Sequence, residues 1–507
     1  MKGILHILPV LLLALSLNHS CYKELVVVEP SPIDERQSMI LLDGIPVFED
    51  LTDKLMLYTI KEDSLASFTP LVEFNSQLDV SINGISLTPG AVNDLGPVKI
   101  NKVYKLVAGE GSSEESFDLV FTTLPILRFI TDEGIPYEPK LESHMQLAYA
   151  NPLKGSSSTL LFESWAGIEI RGISANRFDK KSYGIELWQN EFRVDRSAPL
   201  LGMGYCEDWF LDAMYIDNLR MRNKFSFELW NKMETRQPND LQEGKRTGIQ
   251  MEYVELFLNQ RYYGLYCLGE RMDEELIDFS YSQDEKGGVM YKTYDWYEGS
   301  TTFRSYLNDP VLSMEWDGWE QIYPEDFFNW DPLSELRKLV TLEEEEIFKE
   351  RIDSVLDLRN AANFYLLLNM IKGWDNVGKN VFLARYSRHT KFFFLPWDLE
   401  ATWGRTWEML DSNPNGLVGN GLHERLLALN ASGYRDSVAL MWGSYRNTIF
   451  HKDALNHAVN LHYSLLKKNG VIQRENMRWD LEIDLEQEYI YMVEWIEERL
   501  NTLDSHF

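Results

Sequence analysis

Between residues 39 and 122 the chain is written in short apolar runs, at 39–42, 55–60, 72–74, 80–82, 104–108 and 117–122. Turn pairs such as Asn83-Gly84 and Pro89-Gly90 separate them. Runs of this length and punctuation read as strands, and their spacing predicts an Ig-like β-sandwich over 37–124. The texture changes near Pro125, and one large α+β domain is predicted from 125 to 507. Residues 124–130, 167–171 (GIEIR), 182–188 (SYGIELW), 251–258 and 262–268 read as strands, the last two as a hairpin about 259–261. Helical spacing follows at 218–232 (Leu219, Phe225, Leu229), from Asp357 or Asn360 to 371, and across 422–429, 435–450, 452–468 and 480–503. Thr341-x-x-Glu344 reads as a capping box that opens a helix to 356. A strand-rich half followed by a helical half predicts two lobes.

Composition narrows the class. A chain of 507 residues that is 44% hydrophobic and 13% aromatic has material for a large core and for two or three domains. Lys plus Arg number 49 and Asp plus Glu 79, a net charge of −30. Such a field repels nucleic acid and anionic surfaces, so no nucleic-acid partner is expected. A bound nucleotide would need a metal ion and a few placed cations.

The amino terminus reads as a targeting segment. Lys2 precedes a mostly apolar stretch at 3–17 and then Ser20-Cys21. The stretch is short for a membrane span, so a signal peptide is expected. A small residue before cysteine predicts a bacterial lipoprotein signal over 1–21, with Cys21 as the lipidated first residue of an exported, membrane-anchored protein. The Pro- and charge-containing 22–36 then serves as a tether. Cys206 and Cys267 lie in apolar segments and are expected as buried free thiols.

The candidate chemistry is concentrated at 373–404, GWDNVGKNVFLARYSRHTKFFFLPWDLEATWG. Asp375 and Asn380 are five residues apart, and Asp398 follows after a hairpin's length. An Asp, an Asn five residues on and a second Asp at a strand end is how a kinase site is assembled. Asp375 would take the proton of an attacking hydroxyl, while Asn380 and Asp398 would hold Mg2+ against the phosphates of ATP. Strand parity brings Phe392, Phe394, Pro396 and Asp398 to one face, which predicts that Asp398 emerges at the cleft. Parity also puts Lys181 with Tyr183, Ile185 and Leu187, the face expected to be buried, and marks it as the phosphate-binding lysine; Lys180, with Ser182 and Gly184, is the second choice. Glu228 is a possible helix partner for that lysine. Glu270, at the hairpin end, either faces the nucleotide or pairs with Arg271. Lys292 can point into the same cleft, and Lys379 either steadies the moving phosphate or forms an ion pair. The loop at 172–179, with one glycine, is a weak candidate for a phosphate cover. Residues 294–330, rich in Trp, Tyr, Asp and Gly, are either an insertion over the site or a substrate surface.

These blocks together resemble the CotH kinase family, spore-coat protein H and its relatives, which look like atypical protein kinases. The resemblance rests on IRG (170–172), DKKSYGIEL (179–187), LLGM (200–203), LRMRN (219–223), LNQRYYGLYCLGE (258–270), WDNVGKN (374–380) and PWDLEATWG (396–404), in family order. It implies Asp375 as catalytic base and Asn380 with Asp398 as metal ligands. Glu400 stands where the family often carries Asp. The expected function is transfer of the γ-phosphate of ATP to Ser or Thr of an envelope protein. Two alternatives stay open: a non-catalytic envelope scaffold that binds carbohydrate or peptide on a kinase-like fold, and nucleotidyl transfer with the nucleotide reversed.

Overall fold

The strands that follow Pro125 close on themselves. In the computed structural model Ile126–Ile130 (β1), Leu141–Ala150 (β2), Thr159–Arg171 (β3), Ser182–Trp188 (β4), Asp208–Asp212 (β5), Met251–Leu258 (β6) and Arg261–Glu270 (β7) form a closed barrel in the order β1-β2-β3-β4-β5-β7-β6. Neighbours run antiparallel except at the seam, where β1 lies parallel to β6 with Phe129 opposite Leu258. Alternate residues fill the interior: Tyr183, Ile185 and Leu187 of β4 point inward beside Leu127, Met145, Leu211 and Leu256. A barrel of this size is packed solid by its own side chains. Any ligand site must therefore lie outside it. The structure describes residues 38–507 apart from 111–112, 153–157, 173–176, 235–245, 278 and 280–287. The leader, Cys21, the tether and the tip of the loop at 172–179 fall outside the described residues.

A second sheet carries the site. Val289–Thr293 (β8), Trp319–Tyr323 (β9), Val381–Arg385 (β10) and Phe393–Pro396 (β11) pair in the order β9-β8-β10-β11. Its side chains share one core with Arg222–Met233 (α1), Asp331–Thr341 (α2), Glu345–Val355 (α3), Leu358–Ile371 (α4) and the C-terminal helices. α4 is buried along its length and opens on Asp357, whose side chain accepts from the Asn360 N–H at 3.0 Å. It stops at Lys372 in the left-handed region (φ 53°), which turns the chain out to Trp374 and Asp375. The expected capping box is absent. Thr341 ends α2, its hydroxyl donating to Arg337 O at 2.7 Å, and α3 starts independently after Glu344. Gly421–Leu429 (α5), Tyr434–Arg446 (α6), Lys452–Asn469 (α7), Val471–Trp479 (α8) and Leu485–Asp504 (α9) complete a mixed α+β fold. The short helix α8 was not expected from the sequence.

The first 90 or so described residues form a four-stranded and a six-stranded sheet that share a core around Val72, Phe68, Leu106 and Phe121. The sheets are fastened to the rest by polar contacts. Asp50 accepts from the Tyr262 N–H (2.9 Å), Asn469 from the Thr123 N–H (2.7 Å), and Glu255 receives both Arg474 and the Thr122 hydroxyl (2.9 Å). Residues 38–507 accordingly form one unit. Cys206 and Cys267 are buried and free, as expected. Among the described residues, no helix is long and apolar enough to cross a membrane.

Candidate active site

Asp375 and Asp398 meet through one amide. The Asn380 Nδ2 donates to Asp375 Oδ2 and to Asp398 Oδ2, both at 3.1 Å. The local backbone explains how. Asp375 opens a single 3-10 turn, and the Asn380 N–H donates to Thr293 O at the end of β8 (3.0 Å), which pins the loop to the sheet. Asn380 and Asp398 both adopt left-handed backbone, φ 56° and 54°. Asn and Asp are the side-chain-bearing residues that tolerate that region best. Asp398 thus reaches the site through a left-handed turn after β11 has ended at Pro396, and strand parity, used to place it, does not extend that far. The Asn376 amide braces the turn from behind, donating to Trp397 O at 2.7 Å.

The three side chains line a cavity of about 310 Å³, shared with Lys180, Ser182, Asp212, Lys379 and Glu400. Asp212, missed from the sequence, ends β5. It accepts from the Asn223 Nδ2 (2.8 Å), and the same amide's oxygen accepts from the Leu399 N–H (3.0 Å), so Asn223 ties Asp212 to the turn that carries Asp398 and Glu400. The hint in the sequence was an Asp closing an apolar run, with an Asn in the LRMRN block at 219–223.

Negative charge is crowded here. Withdrawal from water, then the charges of Asp212 and Asp375, push the Asp398 carboxyl up to about 6, and Lys292 and Lys379 offset part of this. Burial, then Asp398 and Asp212, raise Glu400 well above the usual carboxylate range. A cation between these groups would relieve the repulsion. Mg2+ is commonly held by one or two carboxylates, with water and substrate phosphate completing its shell. Among the described residues no three acidic, imidazole or thiol groups form a ready-made cage. The donor set, two carboxylates and an amide oxygen (available if the Asn380 side chain turns over), fits an ion shared with a polyphosphate.

The crowding has a consequence for stability. A carboxyl raised in the folded chain is ionised at a cost there, absent at low pH where both folded and unfolded chains are protonated and growing as the pH rises through about 6. Asp398→Asn should therefore melt about 1–3 °C above the parent at pH 7.5, converging on it toward pH 4. Calorimetry at the two pH values checks this; a midpoint lowered equally at both would mean that Asp398 holds the fold together.

The lysines fall differently from the strand-parity expectation. Tyr183, Ile185 and Leu187 do point inward, but inward is the packed barrel, and the cavity lies on the outer, Ser182 side. Lys181 is absent from the cavity wall and donates to Phe178 O (2.5 Å). Lys180 is on the cavity wall instead. Fully buried, it donates to Glu475 Oε1 (2.8 Å), Glu475 Oε2 (3.1 Å) and Leu265 O (2.5 Å). Burial pulls its ammonium down to about 8, against the opposing pull of Glu475. Glu475, from α8, also meets Arg220 (3.2 Å) and the Leu265 N–H (2.5 Å). Gly264 makes room for it: φ is +96° and a Cβ there would overlap Glu475 Oε1.

Three further expectations change. Glu228 does not partner the lysine; it binds Lys224 and His462, both at 3.0 Å. Glu270 neither lines the cavity nor pairs with Arg271. It is fully buried against Arg246 (2.6 Å) and accepts from the Gly204 and Gln250 N–H groups (2.8 and 2.7 Å), partners from the loop before β5 and the segment before β6. Lys292 is absent from the cavity wall and lies over the Phe382 ring at 5.6 Å, close enough for its charge to lower the Asp398 carboxyl, while burial lowers its own ammonium. Lys379 is on the cavity wall. The aromatic stretch at 294–330 supplies one direct contact to the site: Trp296 Nε1 donates to Asp375 Oδ1 at 3.0 Å.

This geometry can bind a cation and orient a hydroxyl beside a carboxylate. Inner spore coat protein H of Bacillus subtilis (strain 168) is 24% identical over 242 residues, 47% of this chain and 59% of that protein. The chain thus spans less than two thirds of that relative's length. The family model for the CotH kinase protein matches residues 168–503, from β3 through the last helix. It takes in β4, the Asn380 loop, the Asp398 turn and Glu475 together, and the chain belongs to the CotH kinase protein family.

Proposed function

We propose that the protein transfers the γ-phosphoryl group of ATP to a serine or threonine hydroxyl of an envelope protein. The observation that carries this reading is the single amide that joins Asp375 to Asp398 at one cavity wall. Asp375 accepts the proton of the attacking hydroxyl, help worth on the order of 10²–10⁴ in rate. Asn380 and Asp398 would hold Mg2+, with Glu400 and Asp212 nearby, and the ion would supply neutralisation of phosphate charge. Lys180, held by Glu475, and Lys379 face the phosphates. Most of the acceleration comes from positioning and charge neutralisation. The leader motif supports export and lipidation at Cys21, which would place the reaction at the cell envelope.

The test uses the soluble chain with Mg2+ and ATP labelled at the γ or the α phosphate, against casein as a generic acceptor and the chain itself. Transfer of γ label alone, lost in Asp398→Ala, is the expected result. Transfer of α label would replace this reading by nucleotidyl transfer. Absence of Mg2+-dependent ATP binding by calorimetry would leave a scaffold.

A further inference from the structure

We propose that Trp296 is a positioning residue for Asp375, fixing the carboxylate's rotamer and thereby setting the rate of phosphoryl transfer without binding the nucleotide. The proposal rests on the kinase reading above. Each oxygen of Asp375 has its own donor: Trp296 Nε1 on Oδ1 (3.0 Å) and Asn380 Nδ2 on Oδ2 (3.1 Å). Two donors on opposite sides of a carboxylate leave it little freedom to rotate, and a base works only when aimed. An indole N–H suits the task, since it only donates and never competes for the acceptor's proton.

The indole also packs on the loop that it orients. A Cβ on Gly378, between Asp375 and Asn380, would lie 2.9 Å from Trp296 Cζ3 and 2.6 Å from Thr302 Cγ2. Gly378 has φ −143° and ψ 0°, neither strand nor helix backbone. The close approach of Trp296 and Thr302 leaves no room for a side chain there.

The segment that delivers Trp296 is anchored at both ends. Thr293, the last residue of β8, accepts the Asn380 N–H at its carbonyl (3.0 Å) and the Val381 N–H at its hydroxyl (3.0 Å). Tyr294 N–H then donates to Gly318 O (3.0 Å), the Ser300 hydroxyl to Asp317 O (2.8 Å), and Gly421 N–H to Thr302 O (2.7 Å). One strand end therefore holds Asn380 directly and Asp375 through Trp296. A tryptophan kept only for packing is normally buried. Trp296 is 39% exposed, and its stacking partner Trp374 (ring centroids 6.2 Å apart) is 66% exposed. Both rings are exposed on the solvent side of the loop that carries Asp375.

Trp296→Phe deletes the Nε1 donor and keeps a smaller aromatic ring in its place. The expected result is a fall in kcat of about tenfold, with an unchanged KM for ATP and an unchanged thermal midpoint. Gly378→Ala, which displaces the indole by a different route, should give the same kcat loss. In the Asp375→Asn background Trp296→Phe should cost nothing further, because the group it orients no longer accepts a proton. Parental kcat in Trp296→Phe, or the same fold-loss with and without Asp375, overturns the proposal and leaves the kinase reading intact. A parent chain that transfers no γ label overturns both.

Discussion

Asp398→Ala is expected to reduce γ-phosphate transfer by more than about 10³-fold and to abolish Mg2+-dependent ATP binding, while the melting temperature does not fall. The reasoning is geometric and electrostatic. Asp398 sits on a left-handed turn after β11, with its carboxylate at the cavity and accepting, among the described residues, from the Asn380 amide (3.1 Å). Its removal takes away a point of attachment for the cation and relieves repulsion from Asp212 and Asp375, so function and stability move in opposite directions. Asp375→Ala should be milder, about 10²–10³-fold, and should keep ATP binding, because it removes the base alone. Isothermal titration and initial rates on the two variants separate the roles. Parental ATP binding by Asp398→Ala would remove the assigned metal role.

Glu475→Ala should be the most damaging single change to the fold, lowering stability by about 3–5 kcal/mol. It would leave the Lys180 ammonium and the Arg220 guanidinium at a fully buried point with carbonyl acceptors but no counter-charge, and the Leu265 N–H without its carboxylate. Removing one partner of a buried ion cluster costs more than the cluster contributes, since the stranded charges stay desolvated. The double variant Lys180→Met with Glu475→Leu should therefore be more stable than Glu475→Ala alone and as inactive, having lost the ammonium at the cavity wall. Urea unfolding of the three chains measures this. A Glu475→Ala chain within about 1 kcal/mol of the parent would show that water reaches the site and that the triad is not structural.

Much of the architecture was legible in the chain. The strand runs from 39 to 122 correspond to strands, α4 begins at its Asp357 cap, and the long C-terminal helices lie close to where apolar spacing puts them. Asp375, Asn380 and Asp398 were visible because a short loop and a hairpin bring them together over a small sequence distance. Helix α8 was missed since its nine residues, VIQRENMRW, are half polar and follow Gly470 directly after another helix. With it went Glu475, the partner of Lys180 across 295 residues of sequence. Glu270 was misread for a related reason: its partner, Arg246, comes from outside the hairpin.

The sequence by itself determined the mixed α+β class, the family and the meeting of Asp375, Asn380 and Asp398, because strand alternation, helix spacing and loop-length juxtaposition are local properties of a chain. Only the tertiary structure decided which side of a strand is the working side. Barrel closure through the parallel β1–β6 seam turned the apolar face of β4 into a sealed interior and left Lys180 and Ser182 facing the cavity. Alternation along a strand says that two faces differ; which of them meets a ligand depends on what closes over each, and that is settled by elements hundreds of residues away.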